Sequence, residues 1–157
     1  MGKEPEFSAD RLLAAHWAPG TLPVDPYAIA DALNVEVREG ELALNLSSAL
    51  IKEPGGRPFI LLSKKDSKAW KRFSCAYGIG DYMRHKEKKS FHLHFDRRKP
   101  AEDGFALGFA RNLLMPKDDL YDLYAGTRIL WDLARRFGVS PRTMKARLEE
   151  LELDYTE

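Results

Sequence analysis

The chain has 157 residues, 44% hydrophobic and 31% charged, the balance expected of one globular domain with room for a small accessory element. No apolar run approaches the ~18 residues of a membrane span, and the opening MGKEPEFSAD lacks the apolar core of a signal peptide. One cysteine, Cys75, excludes a disulfide framework and argues for a reducing compartment, so the expected location is cytoplasmic, with no membrane partner.

The net charge of +1 conceals an asymmetry. Residues 1–41 carry three Lys/Arg against eight acidic residues, a net of −5, while residues 64–99 carry twelve against four, a net of +8. That basic middle suits an acidic protein surface or a nucleic-acid backbone, or is simply a solvated lysine-rich face.

Prolines 23, 26, 54, 58, 100, 116 and 141 punctuate the chain. Asp25 and Pro26 predict a helix start, with the helix running from Tyr27 to Leu33 and ending at Asn34. Val35 to Arg38 alternates as a strand does, and Leu42, Leu44 and Leu46 repeat at strand spacing through Leu50. Gly55-Gly56 marks a turn before a buried strand, Pro58 to Leu62. From Asp66 to about His85 the apolar residues recur at helical spacing. Gly78 and Gly80 sit inside that helix at a cost of ~1 kcal/mol each, which points to close packing or an inherited constraint. Phe91 to Phe95 predicts another strand. Two helical patterns follow, Gly104 to Met115 and Asp118 to Phe137, and a last helix, Pro141 to Leu151, starts after the N-cap candidate Ser140.

Four segments, taken together and in order, resemble the ImmA/IrrE family of small metallopeptidases. They are LPVDPYAIADALNVEVREGEL from Leu22, Arg72-Phe73-Ser74-Cys75-Ala76, Leu113-Leu114-Met115-Pro116, and Leu133 to Ser140 with Arg147-Leu148 following. The resemblance covers about residues 22–153. It implies an α+β fold, a minimal zincin-like core of a small sheet packed with helices, plus a C-terminal helical pair. The expected division is an N-terminal extension over 1–21, the peptidase-like domain over 22–132, and a helix-turn-helix-like segment over 133–157.

In that family a helix presents two histidines four residues apart to zinc, with a glutamate between them as general base. The aligned positions here are Tyr77, Gly78 and Asp81, and the third, acidic ligand aligns with Phe105. A catalytic zinc needs about three protein ligands and an open water position. The resemblance therefore implies a pseudopeptidase without a cofactor, phage or mobile-element associated, binding and modulating a repressor or another regulatory or host protein. Tyr77 and Phe105 either plug the former metal cleft or leave a neighbouring groove usable. The basic stretches that would flank it supply the candidate protein contacts: Lys64, Lys65, Lys68 and Lys71, then Arg84, Lys86, Lys88, Lys89, Arg97 and Arg98. Cys75 points off the cleft face and reads as core rather than nucleophile.

Two alternatives stay open. Asp81 and His85 are four apart on the helix, and His92 and His94 share a strand face, so a rebuilt metal site would draw on these four. The C-terminal segment also looks like a helix-turn-helix, in which Arg142, Lys145 and Arg147 would contact DNA.

Overall fold

The computed structural model describes residues 3–99 and 104–157. Among them are seven helices and one four-stranded mixed sheet, the α+β architecture expected. Pro100 lies outside the described residues.

The strands β1 (Glu36–Gly40), β2 (Leu46–Lys52), β3 (Phe59–Ser63) and β4 (Phe91–Asp96) lie in the order β1-β3-β2-β4. β1 runs parallel to β3, while β2 is antiparallel to both β3 and β4. α3 (Lys68–His85) lies along one face of this sheet, against which Leu50, Ile60, Leu62 and Phe95 are buried. α4 (Phe105–Leu114) packs on α3, and α1 (Lys3–His16) packs on α4.

The helix α1 falls in the stretch expected to be a polar extension. Its apolar stripe is narrow, with Ala9 and Leu12 buried and Leu13 at their side. Pro5 is tolerated in the first turn, where its missing N–H has no helical partner to lose. It lies against α4 where Gly108 has no side chain; a Cβ there would stand 3.1 Å from the Pro5 ring.

α2 (Pro26–Ala32) begins as the sequence indicates, with the Asp25 carboxylate accepting from the Tyr27 and Ala28 amides at 2.9 and 3.3 Å. Asn34 leaves the helix with φ of 62°, a left-handed conformation that asparagine tolerates. Two boundaries differ from expectation. β2 begins at Leu46, because residues 42–45 turn instead of extending: the Leu46 amide bonds Ala43 O, and Leu44 is 86% exposed. The stretch expected as a single helix over 118–137 is two, α5 (Lys117–Tyr124) and α6 (Leu130–Phe137). The chain turns at Gly126, and the next residues are held by the C-terminal tail, with Leu130 donating to Thr156 O and Thr156 to Arg128 O.

α6 and α7 (Pro141–Glu150) meet at Gly138, whose φ of 67° suits glycine. Leu133, Phe137, Met144 and Leu148 from this pair enter the same buried cluster as the sheet and α3.

Candidate functional site

The helix α3 starts at Ser67, whose hydroxyl accepts from the Trp70 amide at 3.1 Å. Its middle, Phe73 to Gly80, is buried without interruption, which is why hydrophobic periodicity fades there. The two glycines are packing devices. A Cβ on Gly78 would stand 2.9 Å from Cδ1 and 3.2 Å from Cγ2 of Ile60 on β3. On Gly80 it would stand 3.0 Å from the Phe109 ring on α4. The helix thus lies close to the sheet on one side and to α4 on the other.

Tyr77 is 2% exposed, and its ring is stacked on Phe95 with centroids 3.8 Å apart and an interplanar angle of 5°. Phe95 is also neighbour to Phe73 and Trp70, so Tyr77 extends an aromatic row between α3 and β4. Phe105, on the first turn of α4, is buried too, with the Arg84 guanidinium 4.8 Å above its ring and the Phe109 ring centroid 6.2 Å away. A cation over that ring is attracted by its quadrupole, and the same cation would repel a metal ion bound nearby. Of the four positions only Asp81 offers a carboxylate, and Gly78 has neither a side chain nor room for one. They do not fit a three-ligand zinc site.

The four residues of the rebuilt metal site do not converge. Phe91, Leu93 and Phe95 face the helices, so strand alternation turns His92 and His94 to the opposite face of the sheet. There they are exposed, with ring centroids 4.8 Å apart, while Asp81 and His85 are half-buried on α3. Among the described residues no group of three His, Cys, Asp or Glu is placed to hold a metal ion.

Cys75 is fully buried, and burial pushes its thiol pKa well above the ordinary value. A thiol that does not ionise does not react. Native protein is therefore expected to resist iodoacetamide at pH 8 and to be alkylated at Cys75 in denaturant. Mass spectrometry reads both states, and fast native labelling would show that the helix opens.

The basic candidates separate into two groups. Antiparallel β4 returns the chain toward the start of α3, so Arg97 donates two bonds to Asp66, each 3.1 Å, and a third to Leu46 O. Lys64, Lys65, Lys68, Arg97 and Arg98 thus belong to the start of α3 and are exposed, whereas Lys71 is paired with Glu39 at 2.9 Å. Arg84, Lys86, Lys88 and Lys89 lie at the far end of α3, about 26 Å away for an 18-residue helix.

The DNA-contact set needs correction. Arg142 and Lys145 are exposed, but Arg147 is 3% exposed and turned inward. Its guanidinium donates to Asn112 Oδ1 at 2.9 Å, to Met115 O at 3.1 Å and to Glu150 at 2.7 Å. The spacing of Arg142, Lys145 and Arg147 did not reveal this, because a buried arginine and a phosphate-binding one look alike in a helix.

One cavity has no counterpart in the sequence patterns. It measures about 670 Å³ and lies between the start of α3, the end of β4, α4 and the start of α7. Arg111 and Arg142 join Lys65 and Arg97 around it. Arg111 stands out in no motif, and only the fold brings these four together.

No described helix is long and apolar enough to cross a membrane. A search of curated proteins finds no match to this chain. A model of the IrrE N-terminal-like domain matches residues 30–149, which takes in α3, α4 and the helical pair. The chain belongs to the IrrE N-terminal-like domain family.

Proposed function

We propose that this chain is a catalytically inactive member of its family, phage or mobile-element associated, that acts by stoichiometric binding to a repressor or another regulatory or host protein. The observation that carries this reading is the Tyr77–Phe95 stack, with centroids 3.8 Å apart, at the position of the family's first zinc ligand. Gly78 replaces the general base, whose loss alone removes a contribution of ~10²–10⁴-fold. The retained scaffold supports binding. The exposed cations at the two ends of α3 are the contact candidates, with Lys64, Lys65, Lys68, Arg97 and Arg98 at one end and Arg84, Lys86, Lys88 and Lys89 at the other. They face an acidic partner in the cytoplasm.

The test is metal analysis of the purified protein, a cleavage assay on helix-turn-helix repressors, and capture of partners from the native host. The expected result is well under one equivalent of zinc, intact repressor, and a complex weakened by charge reversal at Lys65 and Lys68 or at Lys86 and Lys88. One equivalent of zinc together with repressor cleavage would sink the reading.

A further inference from the structure

The cavity at the start of α3 shares Lys65 and Arg97 with the candidate protein contacts and adds Arg111 and Arg142 to them. Among the described residues, Lys65, Arg97, Arg111 and Arg142 line it against a single carboxylate, Asp66. These cations come from four separate parts of the chain, so their concentration is a product of folding and not of a basic run. Their neutralisation is partial. Asp66 is taken by Arg97, and Arg111 lies 3.8 Å from Glu150, which does not line the cavity. Among the described residues Lys65 and Arg142 make no ion pair, and both are exposed.

Like charges gathered around a concave surface focus a positive potential and repel one another until an anion lies between them. Two helices also begin at the rim, α3 after Ser67 and α7 after Ser140, and helix N-termini favour negative charge. Arginine forks match phosphate oxygens two at a time. A volume of about 670 Å³ lies within the range of small-molecule sites and exceeds what one phosphate fills. The remaining wall includes two aromatic side chains beside Leu107 and small polar residues. Trp70 and Phe73 line it, and the indole is held by its Nε1–H donating to Ser47 Oγ at 2.8 Å.

We propose that this cavity binds a small molecule carrying two or more phosphate groups. Lys65, Arg97, Arg111 and Arg142 take the phosphates, and Trp70 with Phe73 takes an apolar or aromatic remainder. The site does not depend on whether the domain binds a protein partner.

Calorimetric titration of the full chain at low salt tests this, using inorganic phosphate, inorganic triphosphate and ATP as probes. The expected result is one site, with triphosphate at least about tenfold tighter than phosphate, since charge-assisted bonds add with each phosphate, and with ATP tighter than triphosphate because its base adds stacking on the aromatic side chains of the wall. The double variant Lys65→Glu/Arg142→Glu, two exposed positions, should keep its circular dichroism and bind triphosphate at least about tenfold more weakly. Lys3→Glu/Arg11→Glu, the charge-matched control on α1, should bind as the parent does. Equal affinity for phosphate and triphosphate overturns the proposal, as does a double variant that binds like the parent. Tighter binding of a DNA duplex that needs Lys145 as well as Arg142 makes the surface a nucleic-acid interface, and overturns it too.

Discussion

Arg147→Ala is expected to lower the unfolding free energy by about 3–5 kcal/mol, because it strips two buried neutral acceptors of their donors and leaves a cavity. The guanidinium is 3% exposed and supplies donors to three separate acceptors. Alanine leaves Met115 O and Asn112 Oδ1 without those donors and opens a cavity between α4 and α7. An unsatisfied buried acceptor costs about 1–3 kcal/mol by itself. Asn112 cannot compensate by turning, because its Nδ2 is committed to Gly108 O at 2.8 Å. Lysine should recover only part of the loss, since its ammonium lacks the planar fork that reaches Asn112 and Met115 together. By contrast Arg142→Ala, on the exposed side of the same helix, should change stability by no more than ~0.5 kcal/mol. Urea denaturation followed by circular dichroism measures all three. If Arg147→Ala and Arg142→Ala cost the same, the inward placement of Arg147 is wrong.

The same residue shows how far the sequence could be read. The positions of α2, α3, α4 and α7, the caps at Asp25 and Ser140, and the alternation in β4 follow from local chemistry, and they are legible in the sequence. What local chemistry does not encode is direction relative to the rest of the fold. Arg142, Lys145 and Arg147 share one helix, yet two face solvent and the third faces α4. His92 and His94 share one face of β4. That face turns out to be the one opposite α3, which only the packing of Phe95 against Tyr77 decides. The α1 helix is not legible in the sequence because its three buried residues, Pro5, Ala9 and Leu12, make too narrow a stripe on a polar segment, and its stability comes from docking on α4. The division of α5 from α6 was hidden for a similar reason, since the pairing of Arg128 and Leu130 with Thr156 joins segments 26–28 residues apart.

The four segments that carry the family resemblance are scaffold, and two arginines join them. Arg72, from the segment leading into the cleft, donates to Val24 O in the LPVDP segment and to Gly138 O at the turn between α6 and α7. Gly138 has no Cβ, which would stand 3.0 Å from that guanidinium. Arg147, following the last segment, closes on Met115 O inside LLMP. Each motif therefore satisfies a backbone carbonyl or a guanidinium belonging to another. On the proposed reading Tyr77, Gly78 and Phe105 depart from a zinc-binding set, and none of the hydrogen bonds of these two arginines involves them.

Those departures are expected to be hard to reverse. Gly78→Glu should destabilise the protein by about 2–4 kcal/mol, net of the ~1 kcal/mol gained by leaving glycine inside a helix. The Cβ alone would meet Ile60 at 2.9 Å, and Ile60 is fully buried on a central strand of the sheet. Overpacking of that kind costs about 1–3 kcal/mol. Burying a carboxyl group where no donor awaits it adds roughly 2 kcal/mol or more. The combined variant Tyr77→His/Gly78→Glu/Asp81→His/Phe105→Glu should then either fail to fold or bind zinc no better than the parent, as read by metal analysis after dialysis. Because a failed fold alone would say little about cause, Gly78→Ala isolates the contact. It should be neutral to about 2 kcal/mol destabilising in the parent, where overpacking opposes helix propensity. It should be more favourable by about 0.5–1 kcal/mol in an Ile60→Val background, where Cδ1 is gone and the two sites couple. If Gly78→Ala instead stabilises the parent by the full ~1 kcal/mol of propensity, α3 is not held against β3 as described, and the cleft has room for the base it lacks.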